Sequence, residues 1–349
     1  MRCRMYGVRC NFAFGVPDLQ PLNEDQARQE AGVPPVQLPV SNAVWYGDAL
    51  RLDSQDQALF DRFRYRTLYT LGEPGMVKIW ENMLVACFAA PFLMHGTLAV
   101  AAAHDRCLHA TPHRRTLRET YHFSRCTTLF NRWLNDSIAE EHKDPLWATA
   151  GTLSILTFTS INTCSPVQTW PLGPPDSSDL EWLRLGVGKM TLWHLVNPLR
   201  PESAFRTIYD DPVRVHQHLP RKGCAGVSVE LAHLCGLTES STQETNPYFT
   251  VAHHISRLLH LPKGKATADA IMMVTAHMHG RFATFLKNKD PVALLLLALW
   301  YTRACESKWW IEIRARYELV AICTYLLRYH ADNSAIRALV PHADLEGLG

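Results

Sequence analysis

Cys3 and Cys10 stand near the start of the chain with six residues between them, Tyr6 and Gly7 included, and with Arg2, Arg4 and Arg9 nearby. Thiolates are good zinc ligands, but a structural zinc ion takes four, so two cysteines alone cannot close a tetrahedral site. The ten cysteines fall at 3, 10, 87, 107, 126, 164, 224, 235, 305 and 323 without regular spacing. That scatter reads as reduced, intracellular thiols, with Cys87, Cys305 and Cys323 as small core hydrophobes.

Seventeen histidines invite a metal or acid–base reading. His104, His109 and His113 recur at spacings of five and four, and His216/His218 and His277/His279 form close pairs. Pro112 breaks any helix that would align His109 with His113, and residues two apart on a helix do not share a face. No HExxH and no GxSxG occurs, so neither a zinc protease nor a serine hydrolase is indicated. Gly186-Val-Gly188-Lys189-Met190 looks like a phosphate loop only in part. Leu183 replaces its first glycine, Met190 replaces the hydroxyl residue, and the run lies within a predicted helix rather than after a strand. The histidines therefore read as solvated or singly hydrogen-bonded, and Glu140-Glu141-His142 as a solvated helix end. Arg221-Lys222 and Lys263/Lys265 read as solvated surface.

The elements that hold these residues follow from pattern. With 349 residues, 47% hydrophobic, the chain can bury a large core, and a net charge of only +2 creates no general pull toward nucleic acid or acidic lipid. The start has arginines but no continuous apolar run, so no secretion leader is expected. Met83 to His104 is uncharged, yet Pro91, His95 and Gly96 interrupt it and no basic cluster flanks it, which predicts a buried helix pair rather than a membrane span.

Five prolines between 13 and 50 predict an irregular linker or arm. Ser54 with Gln57 suggests a capping box opening a helix that ends before Gly72. Helices are then expected over about 77–108 with a break at Pro91, over 114–135, and from Asp144-Pro145 onward. Pro166, Pro171, Pro174 and Pro175 exclude regular helix from Cys164 to Ser178, after which Ser178-Asp-Leu-Glu181 reads as a second capping box. Further helices are expected near 229–235, 247–261 and 267–286, from Asp290-Pro291 to Cys305, and over 308–329. Asn246, Pro247 and Tyr248 fit a helix start or a loop equally. With no alternating strand pattern and no internal repeat, the fold class is all-α, a helical bundle preceded by a Pro-rich arm.

Four segments carry a resemblance to fungal zinc-cluster transcription factors. Cys3-RMYGVR-Cys10 looks like the closing half of their six-cysteine module. Pro91-Phe-Leu-Met-His95-Gly96 is similar to a run on an early helix of their regulatory domain. Asp179-Leu-Glu-Trp182-Leu-Arg184-Leu-Gly186 is similar to the start of a middle helix, with Leu185 inserted. Asp290-Pro-Val-Ala-Leu294 followed by Trp309-Trp310 is similar to the family's last core helices. The ordered matches cover roughly residues 50–330 and resemble most the branch of sterol-uptake regulators.

The resemblance implies a remnant of the zinc module at 1–12, a linker at 13–50, a helical regulatory domain at 51–335 and a tail at 336–349. It implies a nuclear, non-enzymatic regulator of transcription, acting through a helical domain that senses a ligand or partner. Cys3 and Cys10 become zinc ligands, and DNA a partner, only with the upstream half of the module. The transcription machinery and an apolar molecule such as a sterol are the other implied partners. Homodimers are common in the family, although no heptads follow Phe12. Met272, Met273, Met278 and Phe282 offer adaptable apolar surface on one predicted helix, but such a stripe reads first as core, and no pocket residue is assigned. A regulator acting by protein contact alone and a helical enzyme with an unrecognised site are the competing readings.

Overall fold

The computed structural model describes residues 52–108, 114–135, 137–161, 163–176, 178–206 and 219–341, and every regular element among them is helical. The first half contains α1 (Ser54–Tyr65), α2 (Pro74–Ala89), α3 (Pro91–Cys107), α4 (Leu117–Leu134), α5 (Glu140–Phe158) and α6 (Glu181–Val196). The second contains α7 (Val229–Leu234), α8 (Phe249–His260), α9 (Ala268–Thr275), α10 (Gly280–Lys287), α11 (Pro291–Ala304), α12 (Trp309–Tyr329) and α13 (Ser334–Leu339). The all-α class expected from the sequence is what the structure shows. Among the described residues no helix is long and apolar enough to cross a membrane.

The uncharged run resolves into the expected helix pair. Pro91 has no N–H to continue α2 and disfavours helical backbone at Ala90, which turns to φ −127°, ψ 87°. Ala90 then closes α2 through Ala86 O, while its own carbonyl starts α3 by accepting from Leu93 and Met94. Every residue from Pro91 to His104 is buried, so α3 is an axle packed by α1, α2, α4, α5 and α12. In the second half α11 plays the same part: Leu294 to Ala298, Trp300 and Tyr301 are fully buried, with α8, α9, α10 and α12 around them. One continuous hydrophobic core runs from Leu52 to Val340. The α13 turn, with Ile336 buried, carries that core past residue 335.

Several helix boundaries depart from the sequence reading. The capping box of α1 is built by Asp53 and Asp56, one residue before the expected Ser54 and Gln57 pair; each carboxylate accepts from the other's backbone N–H. Asp144-Pro145 does not open α5, which begins at Glu140 and carries Pro145 in its second turn. The carbonyl freed by the proline belongs to Glu141 in the exposed first turn, where the loss is cheap. Asp144 instead holds Arg200 (2.7 Å), the Ser203 hydroxyl (2.8 Å) and the Ala204 N–H (2.8 Å), tying α5 to the turn after α6.

Ser178 does not cap α6 either. Its hydroxyl and N–H both donate to Asp176, and α6 starts after Leu180, a buried residue held at φ 57°. The single helix expected over 267–286 is two, α9 and α10, separated by an irregular turn ending at Gly280, whose φ of 56° suits glycine. Asn246 forms a loop: its carbonyl oxygen accepts from the Tyr248 N–H while its amide donates to the Cys235 and Gly236 carbonyls beyond α7.

The closest approach to the axle is at Gly96, where a Cβ would lie 2.5 Å from Thr152 Oγ1 and 3.2 Å from Cys126 Sγ. Thr152 cannot yield easily, because its hydroxyl donates to Thr149 O on α5. Gly151, on the same α5, has open space where its Cβ would stand. Urea unfolding is expected to separate them. Gly151→Ala should stabilise by about 0.5–1 kcal/mol through helix propensity, and Gly96→Ala should destabilise by about 1–2 kcal/mol through overpacking. Equal effects would show that the α3–α5 contact is slack.

Candidate ligand groove

The expected metal ligands Cys3 and Cys10, the 13–50 linker, and His109, His113, His216 and His218 lie outside the described residues. Among the described residues no group of three His, Cys, Asp or Glu side chains is arranged to hold a metal ion. Of the first histidine series, His104 is buried in α3, bonded through Nδ1 to Thr67 Oγ1 (3.0 Å) and stacked on Trp309 at 4.5 Å. Burial, followed by the charge of Arg66, pushes it down to about 4, so it packs as a neutral aromatic ring. Lys189, the lysine of the phosphate-loop lookalike, lies within α6 with its ammonium 4.8 Å from the Trp147 ring centre. Glu140 and Glu141 are exposed in the first turn of α5, as expected, but His142 packs on Trp133 at 4.3 Å.

A buried chain of polar groups escaped the sequence reading. His95 on α3 meets His122 on α4 through their Nδ1 atoms (2.9 Å), and His122 Nε2 meets Asp56 Oδ1 on α1 (3.0 Å). His122 donates from Nε2 to the carboxylate, and the Nδ1 contact joins its ring to that of His95. Arg118 pairs with Asp56 and with both oxygens of Asp53 at the outer end. Burial would raise the Asp56 carboxyl; the opposing hydrogen bonds and charges of His122 and Arg118 leave it lowered from 3.8. Histidines 27 positions apart give no local spacing signal, so only the helix packing reveals the pair.

The motif segments converge in a second buried cluster. Trp182, from the start of α6, stacks on Trp300 of α11 (5.6 Å, 13° between planes), and Phe158 at the end of α5 touches Trp182, Trp300 and Trp310. Trp309 and Trp310 also donate through Nε1 to Thr70 Oγ1 and Leu71 O. Arg314 of α12 donates to the carbonyls of Thr157, Phe158 and Ser160, completing the C-terminus of α5, and pairs with Glu318, which accepts from the Tyr301 hydroxyl. These aromatic and charged residues build the frame of the fold.

Two open cavities lie at the surface of the described residues. One, of about 670 Å³, is lined by Glu140, Glu141, Asp144 and Glu202 together with Lys143 and Arg200; Lys143 pairs with Glu140 and Arg200 with Asp144, which leaves the rim acidic. The other, about 730 Å³, lies where the first turns of α8, the end of α9, the start of α10 and the loop at 243–247 meet. Its walls mix Met273, Phe282, Val251 and Pro247 with His254, His277, His279 and Arg281. The four apolar residues expected on one helix are thus divided: Met273 is 44% exposed and lines the groove with Phe282, while Met278 is buried in the core and Met272 packs against it. A volume of this size lies in the range that takes a small organic molecule.

No protein-family model matches the chain, and no curated protein matches it.

The Asp56 carboxylate, lowered in the folded state, adds stability that is complete above its ordinary value near 3.8 and is lost as pH falls through the folded value. Asp56→Ala leaves the buried His122 N–H without its acceptor and should cost about 2 kcal/mol in thermal unfolding at pH 7. The gap between wild type and variant should narrow below about pH 3.5. A gap constant from pH 7 to the acid limit would sink this account.

Proposed function

We propose that the chain is a nuclear transcription regulator of the fungal zinc-cluster type, whose helical domain changes its hold on the transcription machinery when a ligand or partner binds. The observation that supports this most is the meeting of the resembling segments. Trp182 of the middle-helix motif, α11 opened by Asp290-Pro291, and the Trp309-Trp310 pair pack into one aromatic cluster, while His95 of the early-helix motif anchors the axle helix. Residues about 200 positions apart thus share one frame, as a single ancestral domain requires. The groove beside α8, α9 and α10 is the site offered for sensing, because it opens on short helices at the margin of that frame.

Cys3 and Cys10 join a zinc site, and the protein reads DNA directly, when the rest of the cysteine module is supplied. Regulation then requires a ligand that binds two conformers of the helical domain unequally; a 5–150-fold difference corresponds to about 1–3 kcal/mol of coupling.

The test is a tethered reporter. The full chain, fused to an unrelated DNA-binding domain, should change reporter transcription at least about fivefold in either direction. Trp182→Ala, which removes the stacked ring at the frame, should abolish that change while the fusion still occupies its site by chromatin precipitation. A fusion that occupies the site and leaves transcription at its basal level would overturn the regulatory reading.

A further inference from the structure

The cavity at α5 is rimmed mostly by acids, whereas the groove at α8, α9 and α10 gathers basic side chains. His254 and His277 lie face to face, ring centres 4.2 Å apart and planes at 14°. His279 and Arg281 enter from the start of α10. Among the described residues that line the groove, these four basic groups face one acid, Glu244, which already accepts from Thr242 and Gln243.

Other charges on the packed elements are directed elsewhere. On α8, His253 contacts the Gly223 carbonyl and His260 the Ser256 carbonyl. On α9, Asp269 acts on Lys189, and on α10 Lys287 lies in the last turn, away from the groove. On α11, Arg303 donates to the Leu259 and Leu261 carbonyls at the far end of α8, and Asp290 accepts from Tyr248 and caps its own helix. The groove therefore holds clustered weak bases that repel one another when charged. Burial first, then the neighbouring basic groups, pushes His254 down to about 3, and burial with His279 lowers His277. Both rings are neutral at pH 7 and gain charge most readily beside an added anion.

We propose that this groove binds an amphipathic organic acid, its anionic group set against Arg281 and the His254–His277 pair and its apolar body against Met273 and Pro247. The acid supplies negative charge beyond that of Glu244, and the adaptable Met273 side chain accommodates the apolar body. Binding draws protons onto the imidazoles, so affinity rises as pH falls. From the proposed function this takes only the groove. Binding is read without transcription and the tethered reporter is read without a ligand, so either can fail alone.

The probe is 8-anilinonaphthalene-1-sulfonate, whose sulfonate stays ionised throughout, titrated into the full chain by fluorescence between about pH 8 and pH 5.5. One saturable site is expected, with Kd falling about tenfold across that range. Arg281→Gln should weaken binding about tenfold at each pH, and His254→Phe with His277→Phe should keep the site but flatten its pH dependence. Near-UV circular dichroism at the acid end separates groove binding from dye taken up by a loosened protein. A wild-type Kd that does not change with pH, or dye binding that survives Arg281→Gln unchanged, would overturn the proposal. So would acid-enhanced binding that accompanies loss of the near-UV signal.

Discussion

The guanidinium of Arg314 sits where the two halves of the molecule meet, and their joint geometry depends on it. Its donors reach three carbonyls at the end of α5, while Glu318 balances its charge and accepts from Tyr301 on α11. A charge in this setting is costly unless its hydrogen-bonding capacity is filled, and here the frayed carbonyls of a helix end fill it. The arrangement fixes α12 against α5 and α11 together, which no apolar contact could do with the same directional demand. Phe158, next to the bonded carbonyls, then places Trp182, Trp300 and Trp310 around one ring.

The local parts of this fold were legible. Pro91 ends one helix and starts another because its missing N–H and its effect on Ala90 act within a few residues. Asp290 caps α11 by accepting from the Ala293 N–H, with Pro291 in the first turn, for the same local reason. Departures arise where a side chain has a distant partner. Asp144 could cap a helix at Pro145, but Arg200, Ser203 and Ala204 compete for its oxygens and win. Ser178 loses its capping role to a turn closed on Asp176, and the cost of Leu180 at positive φ is offset by burying its side chain.

The groove was half legible. Met273 and Phe282 read as adaptable apolar surface or core, and His277 and His279 as a close pair, but a continuous helix over 267–286 would set Met273 opposite Phe282 and His277 opposite His279. The break before Gly280 gathers them into one wall, and His254 arrives from another helix. The His95–His122–Asp56 chain had no sequence signature because its members sit on three helices. What distinguishes the two sets is accessibility. The chain through Asp56 spends its polarity on joining helices, whereas the groove keeps half-buried imidazoles beside the exposed His279 and Arg281.

The all-round burial of α3 also bears on how the protein is made. Thr70 and Trp309, which close one side of the axle, are separated by 239 residues. At about 5–20 residues per second, translation takes roughly 12–48 s to supply the second after the first. During that interval the uncharged stretch from Met83 to His104 leaves the ribosome without α12 to cover it. The neighbours α1, α2, α4 and α5 are made before or soon after α3, so the face that meets α12 is the part of this segment that waits for the rest of the chain.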